Sequence, residues 1–276
     1  MLRAMFFSLG CWGQCTSVSK KNKLTKLQAG VSAVLRLRSG FMFVHGCDKL
    51  DPMNASAAPA VICTVDVVLL TLQQGELQVA LLKRARAPFA GVLALPGGYI
   101  HAQEDADAQA SAARVLRDKV GLQSPYLEQL ATFSGPARDP RGWSLAVAYC
   151  ALVPPDLLAG ARGLTLVPVE QLPPLPFDHR AMVDAAVARV RSKSQYSSMP
   201  VHLCAEPFTL PQLQAVYEAV LGEAVNKVSF RRKMDELALL EPVPGALQTG
   251  GAHRPAQLYR VRAPYRRSLS LSPRGL

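Results

Sequence analysis

Residues 91–122, GVLALPGGYIHAQEDADAQASAARVLRDKVGL, leave the chain few ways to fold. An apolar run at 92–95 enters a Pro96-Gly97-Gly98 turn. An acidic loop, a helical stretch over 105–119 and a closing Gly121-Leu122 follow. Asp105 predicts the helix N-cap and Gly121 its left-handed terminator. Gly97 and Gly98 let the backbone turn and approach a ligand closely. Along the helix Val115, Asp118 and Lys119 share one face, because they are spaced i, i+3 and i+4. A hard divalent cation takes several oxygen ligands. This face supplies one carboxylate, one isopropyl group and one ammonium.

The surrounding pattern extends that unit into a mixed α/β architecture. Strands are predicted at 61–72, 77–83, 127–133 and 145–152, with a further one at 165–167, and the residues are β-branched or alternate apolar and polar. Residues 180–193 form a second helix, with Met182, Val183, Ala186, Val187 and Val190 as its apolar stripe. Strands interleaved with two helices predict an α/β/α sandwich with a mixed sheet over 60–198. With 49% hydrophobic and 18% charged residues among 276, the chain has ample material for a packed core. No apolar run approaches the ~18–20 residues of a membrane span, so no membrane partner is expected. The six cysteines are scattered without a CxxC pair, which predicts free thiols and a cytoplasmic, reducing setting rather than a disulfide or zinc framework.

The net charge of +11 is unevenly spread: +6 over 1–52, +1 over 53–200 and +4 over 201–276. Residues 1–59 are set apart as an N-terminal extension with no structural role; a targeting segment is the alternative for the basic first 52 residues, and Met53 is a natural start of the folded protein. Beyond residue 200, a helix is predicted at 210–221 between Thr209 as N-cap and Gly222 as terminator. A second runs from about 228 to 239, a turn spans 242–245, and a strand covers 257–262. Helix, short turn, helix, then a glycine-tipped basic hairpin is the order of a winged helix-turn-helix over 201–262. Residues 263–276 read as a disordered basic tail.

The 91–122 segment resembles the Nudix box, G-x5-E-x7-R-E-U-x-E-E-x-G-U, where U is apolar. Gly98, Glu104, Arg114, Leu116, Gly121 and Leu122 match it. The spacer from Glu104 to Arg114 is nine residues rather than seven, and the three helix carboxylate positions read Val115, Asp118 and Lys119. The 134–149 stretch, SGPARDPRGWSLAVAY, and Phe177-Asp178-His179 resemble Nudix proteins that handle ADP-ribose and related dinucleotides. The C-terminal part, with Phe230-Arg231-Arg232-Lys233 and Leu258-Tyr259-Arg260, resembles the winged helix of NrtR-type regulators. The wing here runs Gly250-Gly251-Ala252-His253-Arg254-Pro255, longer than the family's glycines leading straight into Arg-Pro. The resemblance implies a homodimeric repressor of NAD-related genes that binds operator DNA and is released by ADP-ribose or a related nucleotide. The alternative is a Mg²⁺-dependent pyrophosphatase acting on ADP-ribose or a related dinucleotide.

On this reading no catalytic residue is expected at the degenerate positions Glu104, Arg114, Val115, Asp118 and Lys119. No cofactor is required, and Glu104 with Asp118 holds Mg²⁺ weakly or not at all; otherwise Glu104 pairs with Arg114. Ligand binding is assigned to Gly97, Gly98, Lys119, Arg138 and Arg141. Lys119 either meets the diphosphate or is a solvated last-turn cation, and the two arginines either grip phosphate or pair within their loop. Tyr99 or Trp143 could stack on a base, and His179 is read as a helix-start structural residue. DNA contacts are assigned to Lys227, Ser229, Arg231, Arg232 and Lys233 at the start of the second C-terminal helix, and to Arg254 in the wing. Arg231, Arg232 and Lys233 are consecutive and fan over about 200°, so they cannot all face one groove.

Overall fold

The computed structural model describes residues 33–37, 40–44, 60–123, 126–161, 163–248 and 255–272. Strands β1 (Ala33–Leu37) and β2 (Gly40–Val44) pair antiparallel within a separate unit, Met1–Ala58. The remainder of the extension expected over 1–59 lies outside the described residues. The two segments alternate β-branched, aromatic and leucine residues, which suit a pleated pair.

In the second unit, β3 (Ile62–Gln73) is the central strand. A turn at Gln74-Gly75, both left-handed, folds it back into β4 (Glu76–Lys83). Next come β5 (Leu93–Ala94), β6 (Gly97–Tyr99) and helix α1 (Ala108–Val120). Strands β7 (Tyr126–Gly135) and β8 (Ser144–Leu152) follow, with β8 parallel to β3 and antiparallel to β7. The short α2 (Pro155–Leu158) leads to β9 (Leu164–Pro168) and helix α3 (His179–Ser194). The sheet order is β5-β4-β3-β8-β7, with β6 on β3 and β9 on β4.

The period of two in β3 decides what each face buries. Val65, Val67 and Leu69 pack on α1 with Ala112, Val115 and Leu116. Val68 and Leu70 face the layer of α3 with Met182, Ala186 and Val190. Asp66 shares that second face and is therefore delivered to the first turn of α3. The predicted sandwich is present, with one helix layer on each side. Helix α1 starts later than expected: its N-cap is Asp107, whose carboxylate accepts from Ala110 N at 2.7 Å. Gly121 closes it at φ 74°, as its sequence position requires.

The C-terminal part comprises α4 (Leu210–Leu221), α5 (Lys227–Leu237), β10 (Leu240–Gln248) and β11 (Ala256–Val261). Thr209 and Gln212 form a reciprocal capping box, and Gly222 ends α4 at φ 74°. The segment expected as a turn at 242–245 lies inside β10, where the pairing register shifts between Pro242 and Leu247. A bulge accommodates Pro242, Pro244 and Gly245, which break regular pairing. The boundary expected near residue 199 is crossed by one continuous core. A buried 3₁₀ turn, Met199–Leu203, joins the sheet residues Val68 and Leu70 to Phe208, Tyr217, Phe230 and Leu239.

The tail expected as disordered over 263–276 is ordered over its described residues, 263–272. Residues 263–272 fold back on the end of α3. Ser198 N donates to Ser270 O at 2.9 Å, Ser270 N to Ser198 Oγ at 2.9 Å, and Ser272 N to Tyr196 O at 2.7 Å. Tyr265 and Leu269 pack against the core. The basic, serine-rich composition hid these few apolar anchors.

Candidate nucleotide cleft and DNA-facing helix

Strands β3, β4 and β6 and the first turn of α3 enclose a cleft of about 690 Å³, a size suited to a small-molecule ligand. Six basic side chains line it, Lys83, Arg84, Arg86, Lys119, Arg138 and Arg141, against two acidic ones, Asp66 and Asp139. Such a surplus in a recess favours an anion. The floor is the register pair Asp66–Gly97. A Cβ on Gly97 would lie 1.9 Å from Asp66 Oδ1, so only glycine permits this approach. Asp66 Oδ1 is 3.6 Å from His179 Nε2. Leu95 N donates to His179 Nδ1 at 3.2 Å, which places the neutral ring's proton on Nε2. His179 is buried at the first position of α3.

The box loop is fixed differently from the expectation. Arg114 forks onto Asp105, with Nε to Oδ1 at 2.8 Å and a terminal nitrogen to Oδ2 at 2.7 Å, and also donates to Tyr99 O at 2.9 Å. These bonds hold the Asp105 carboxyl far below the usual carboxylate range. Asp105, not Glu104, is therefore the partner of Arg114; the two extra residues of the spacer shift the register. Glu104 is exposed against His101 Nδ1 at 3.0 Å, and Asp118 takes Arg117 Nε at 2.9 Å. Neither lines the cleft. Val115 is buried, and its Cγ2 would sit 3.3 Å from a Cβ on Gly98. The Lys119 ammonium donates to Gly97 O. Burial pushes its pKa down, with Asp66 opposing. The residues present do not fit the Mg²⁺ that a complete Nudix box implies: Glu104 and Asp118 are each engaged by another side chain outside the cleft lining, and an ammonium occupies the third acid position.

The other assigned arginines are committed too. Arg138 makes a two-point bond to Asp178 at 2.9 and 2.8 Å and donates to Ser144 Oγ at 3.1 Å. Arg141 grips Asp139 at 2.6 Å and lies over the Tyr99 ring, its guanidinium carbon 5.5 Å from the centroid. Arg141 therefore pairs within its loop, whereas Arg138 is held by Asp178 at the start of α3, and both border the cleft. Tyr99, half exposed, lines the cleft; Trp143 is exposed elsewhere. The sequence reading missed Asp66 and the run Lys83-Arg84-Ala85-Arg86 leaving β4. Arg84 donates to Pro88 O at 2.8 Å and stacks 4.9 Å from the Phe177 ring. Among the described residues, Lys83 and Arg86 have no ion pair and remain available. Alternate basic residues at a strand end beside the box were the signal.

In the winged helix, Asn226 caps α5, accepting from Val228 N at 3.0 Å and Ser229 N at 3.1 Å. Phe230, Met234 and Leu237 are buried as their spacing predicts. Lys227, Val228, Arg231 and Arg232 are exposed, and Ser229 is partly so. Lys233 is a correction. It is 3% exposed, and its Nζ donates to Ser194 O at 3.0 Å and Gln195 O at 2.7 Å, 5.3 Å from the Tyr217 ring centroid. It lies two residues, about 200°, around the helix from Arg231, so it faces the core and is removed from any groove. Its burial lowers its pKa to about 8. Arg254 and His253 lie outside the described residues.

Two family models match the chain: the NUDIX domain over residues 63–186 and the NrtR DNA-binding winged helix domain over 200–261. A protein of Acinetobacter baylyi named "ADPR responsive transcriptional repressor NtrR" is 38% identical over 208 residues, covering 73% of this chain and 82% of its own. The chain belongs to the NrtR family. Shewanella oneidensis NrtR, solved in complex with a 27mer DNA, superposes with a TM-score of 0.71 at 36% identity, covering 78% of this chain and 99% of that one. An ADP-ribose pyrophosphatase of Methanocaldococcus jannaschii is 30% identical over 109 residues, 38% of this chain and 63% of its own. Among the described residues no helix is long and apolar enough to cross a membrane.

Proposed function

We propose that this NrtR-family protein is a cytoplasmic, homodimeric transcriptional repressor of NAD-related genes, which binds palindromic operator DNA and is released by ADP-ribose or a related nucleotide. The observation that carries the sensing role is the Lys119 ammonium bonded to Gly97 O, where the box calls for an acid. A fixed cation there attracts a diphosphate without Mg²⁺. It can neither ligate a metal nor activate water, and Val115 beside it offers no oxygen. Lys83 and Arg86 add charge from the neighbouring loop, and Tyr99 offers a ring face at the rim. On DNA, Arg231 and Arg232 meet phosphates or base edges from the start of α5.

The names of the A. baylyi and S. oneidensis relatives support repression and DNA binding. The resemblance to the M. jannaschii pyrophosphatase supports the same ligand class through hydrolysis instead. Isothermal titration of ADP-ribose in EDTA and in Mg²⁺, with chromatography of the mixture afterwards, separates the two. The sensor reading expects equal affinity in both and intact ADP-ribose. Mg²⁺-dependent release of AMP and ribose 5-phosphate would replace it with the enzyme reading.

A further inference from the structure

Helix α3 begins in the cleft and ends on the DNA-reading helix. At its start His179 accepts from Leu95 N at 3.2 Å and faces Asp66, while Asp178 holds Arg138 at 2.8 Å. Its body is stiffened by Met182, Val183, Ala186, Val187 and Val190, all buried against the sheet or the C-terminal helices. About 24 Å further on, its last carbonyls, Ser194 O and Gln195 O, receive the Lys233 ammonium. Tyr217 Oη donates to Ser197 O at 3.1 Å, and the tail bonds at Tyr196 and Ser198 close the same junction.

A lysine is a costly way to cover two carbonyls. Its desolvation disfavours the charge, and methionine would fill the same volume without that cost. The cation nevertheless satisfies carbonyls left open at a helix end and favours the negative pole of that helix. It does so from α5, about 200° around the helix from Arg231 and about 100° from Arg232, so a shift of the end of α3 reaches the reading face through a charged bond. We propose that Lys233 is a positioning residue that couples the nucleotide cleft to the DNA-reading face: occupancy at the Asp66–Gly97 floor displaces the first turn of α3, and the Lys233 bond carries that displacement to α5. Packed, rigid elements transmit small shifts rather than absorb them.

This inference rests on the proposed sensor reading. It is tested with the full chain, the duplex that this chain selects from a randomised library, and ADP-ribose. Fluorescence anisotropy gives DNA affinity with and without ADP-ribose, and titration calorimetry gives nucleotide affinity. The wild-type chain has a coupling factor of about 5–150. K233M lowers it below about twofold, the scale of an uncoupled pair, while each separate affinity stays within about threefold; K233R, which keeps charge and donors, restores most of it. A merely structural role would lower the melting temperature and leave the ratio unchanged, and an unchanged ratio in K233M overturns the proposal. If K233M fails to fold, hydrogen exchange on the wild-type chain decides. ADP-ribose alters protection at residues 194–198 and 229–237; unaltered protection there overturns the proposal. A wild-type ratio of one instead removes the sensor reading itself.

Discussion

Gly97→Ala and Gly98→Ala each add one methyl group at neighbouring positions, yet the cleft makes them unequal. A Cβ at position 97 meets Asp66 Oδ1 at 1.9 Å and the Val65 carbonyl oxygen at 3.0 Å. Asp66 is only 7% exposed, so its carboxylate cannot swing aside without leaving His179 Nε2 and losing its position at the floor. The alternative is to pry β6 from β3, where Asp66 and Gly97 are register partners. Either response costs about 2–4 kcal/mol, from overpacking and from a displaced buried charge. A Cβ at position 98 meets Val115 Cγ2 at 3.3 Å, a contact relieved by a few tenths of an ångström. That costs under about 1 kcal/mol. For a unit of this size each kcal/mol moves the melting temperature by roughly 2–4 °C. Thermal melts followed by circular dichroism should show a drop of roughly 5–15 °C for Gly97→Ala and under about 4 °C for Gly98→Ala. ADP-ribose titration of the folded fraction should show the larger affinity loss for the first. Equal, near-native melts for the two variants would refute the account of the floor.

Lys119→Ala should weaken ADP-ribose binding about 10-fold or more, the worth of a charge-assisted bond, with no recovery on adding Mg²⁺, as calorimetry would show. Arg231→Ala and Arg232→Ala should each weaken DNA binding, and each that loses a phosphate contact should lower the slope of log affinity against log salt by about 0.9; K233M should leave that slope unchanged. His202 is buried against the Tyr126 ring and its pKa falls to about 4 through desolvation. Its folded pKa lies below its unfolded value of 6.5, so the unfolded chain binds the extra proton between them. Stability from this group is therefore full above 6.5 and falls, by about 3 kcal/mol, as the pH drops towards 4; denaturant melts of His202→Gln should lose this part of the slope. Removing residues 263–276 should lower the melting temperature, because Tyr265 and Leu269 lose their packing; an unchanged melt would return the tail to a dispensable role.

Where local pattern and burial agree, the sequence announced its structure. Thr209 and Gly222 bracket α4 as expected, because caps and left-handed terminators act through backbone bonds a few residues away. Phe230, Met234 and Leu237 were legible as core for the same local reason. The site was legible only as far as a motif is local. Gly97, Gly98 and Lys119 lie close together, but Asp66 reaches the cleft through the pairing of β3 with β6, which spacing along the chain does not reveal. Lys233 was misassigned because composition cannot say which side of α5 faces α3. Asp105 displaced Glu104 as the partner of Arg114 because the lengthened loop changed register, a shift settled by geometry and not by motif matching.

The central claim is that one chain converts nucleotide binding into release of DNA without a metal. Anisotropy of a labelled duplex selected by the protein, titrated with ADP-ribose in EDTA at near-physiological salt, tests it most directly. The account predicts saturable, sequence-selective binding that ADP-ribose weakens about 5–150-fold. Binding that is equal on random duplex and indifferent to ADP-ribose would contradict it and reduce the basic face of α5 to non-specific charge.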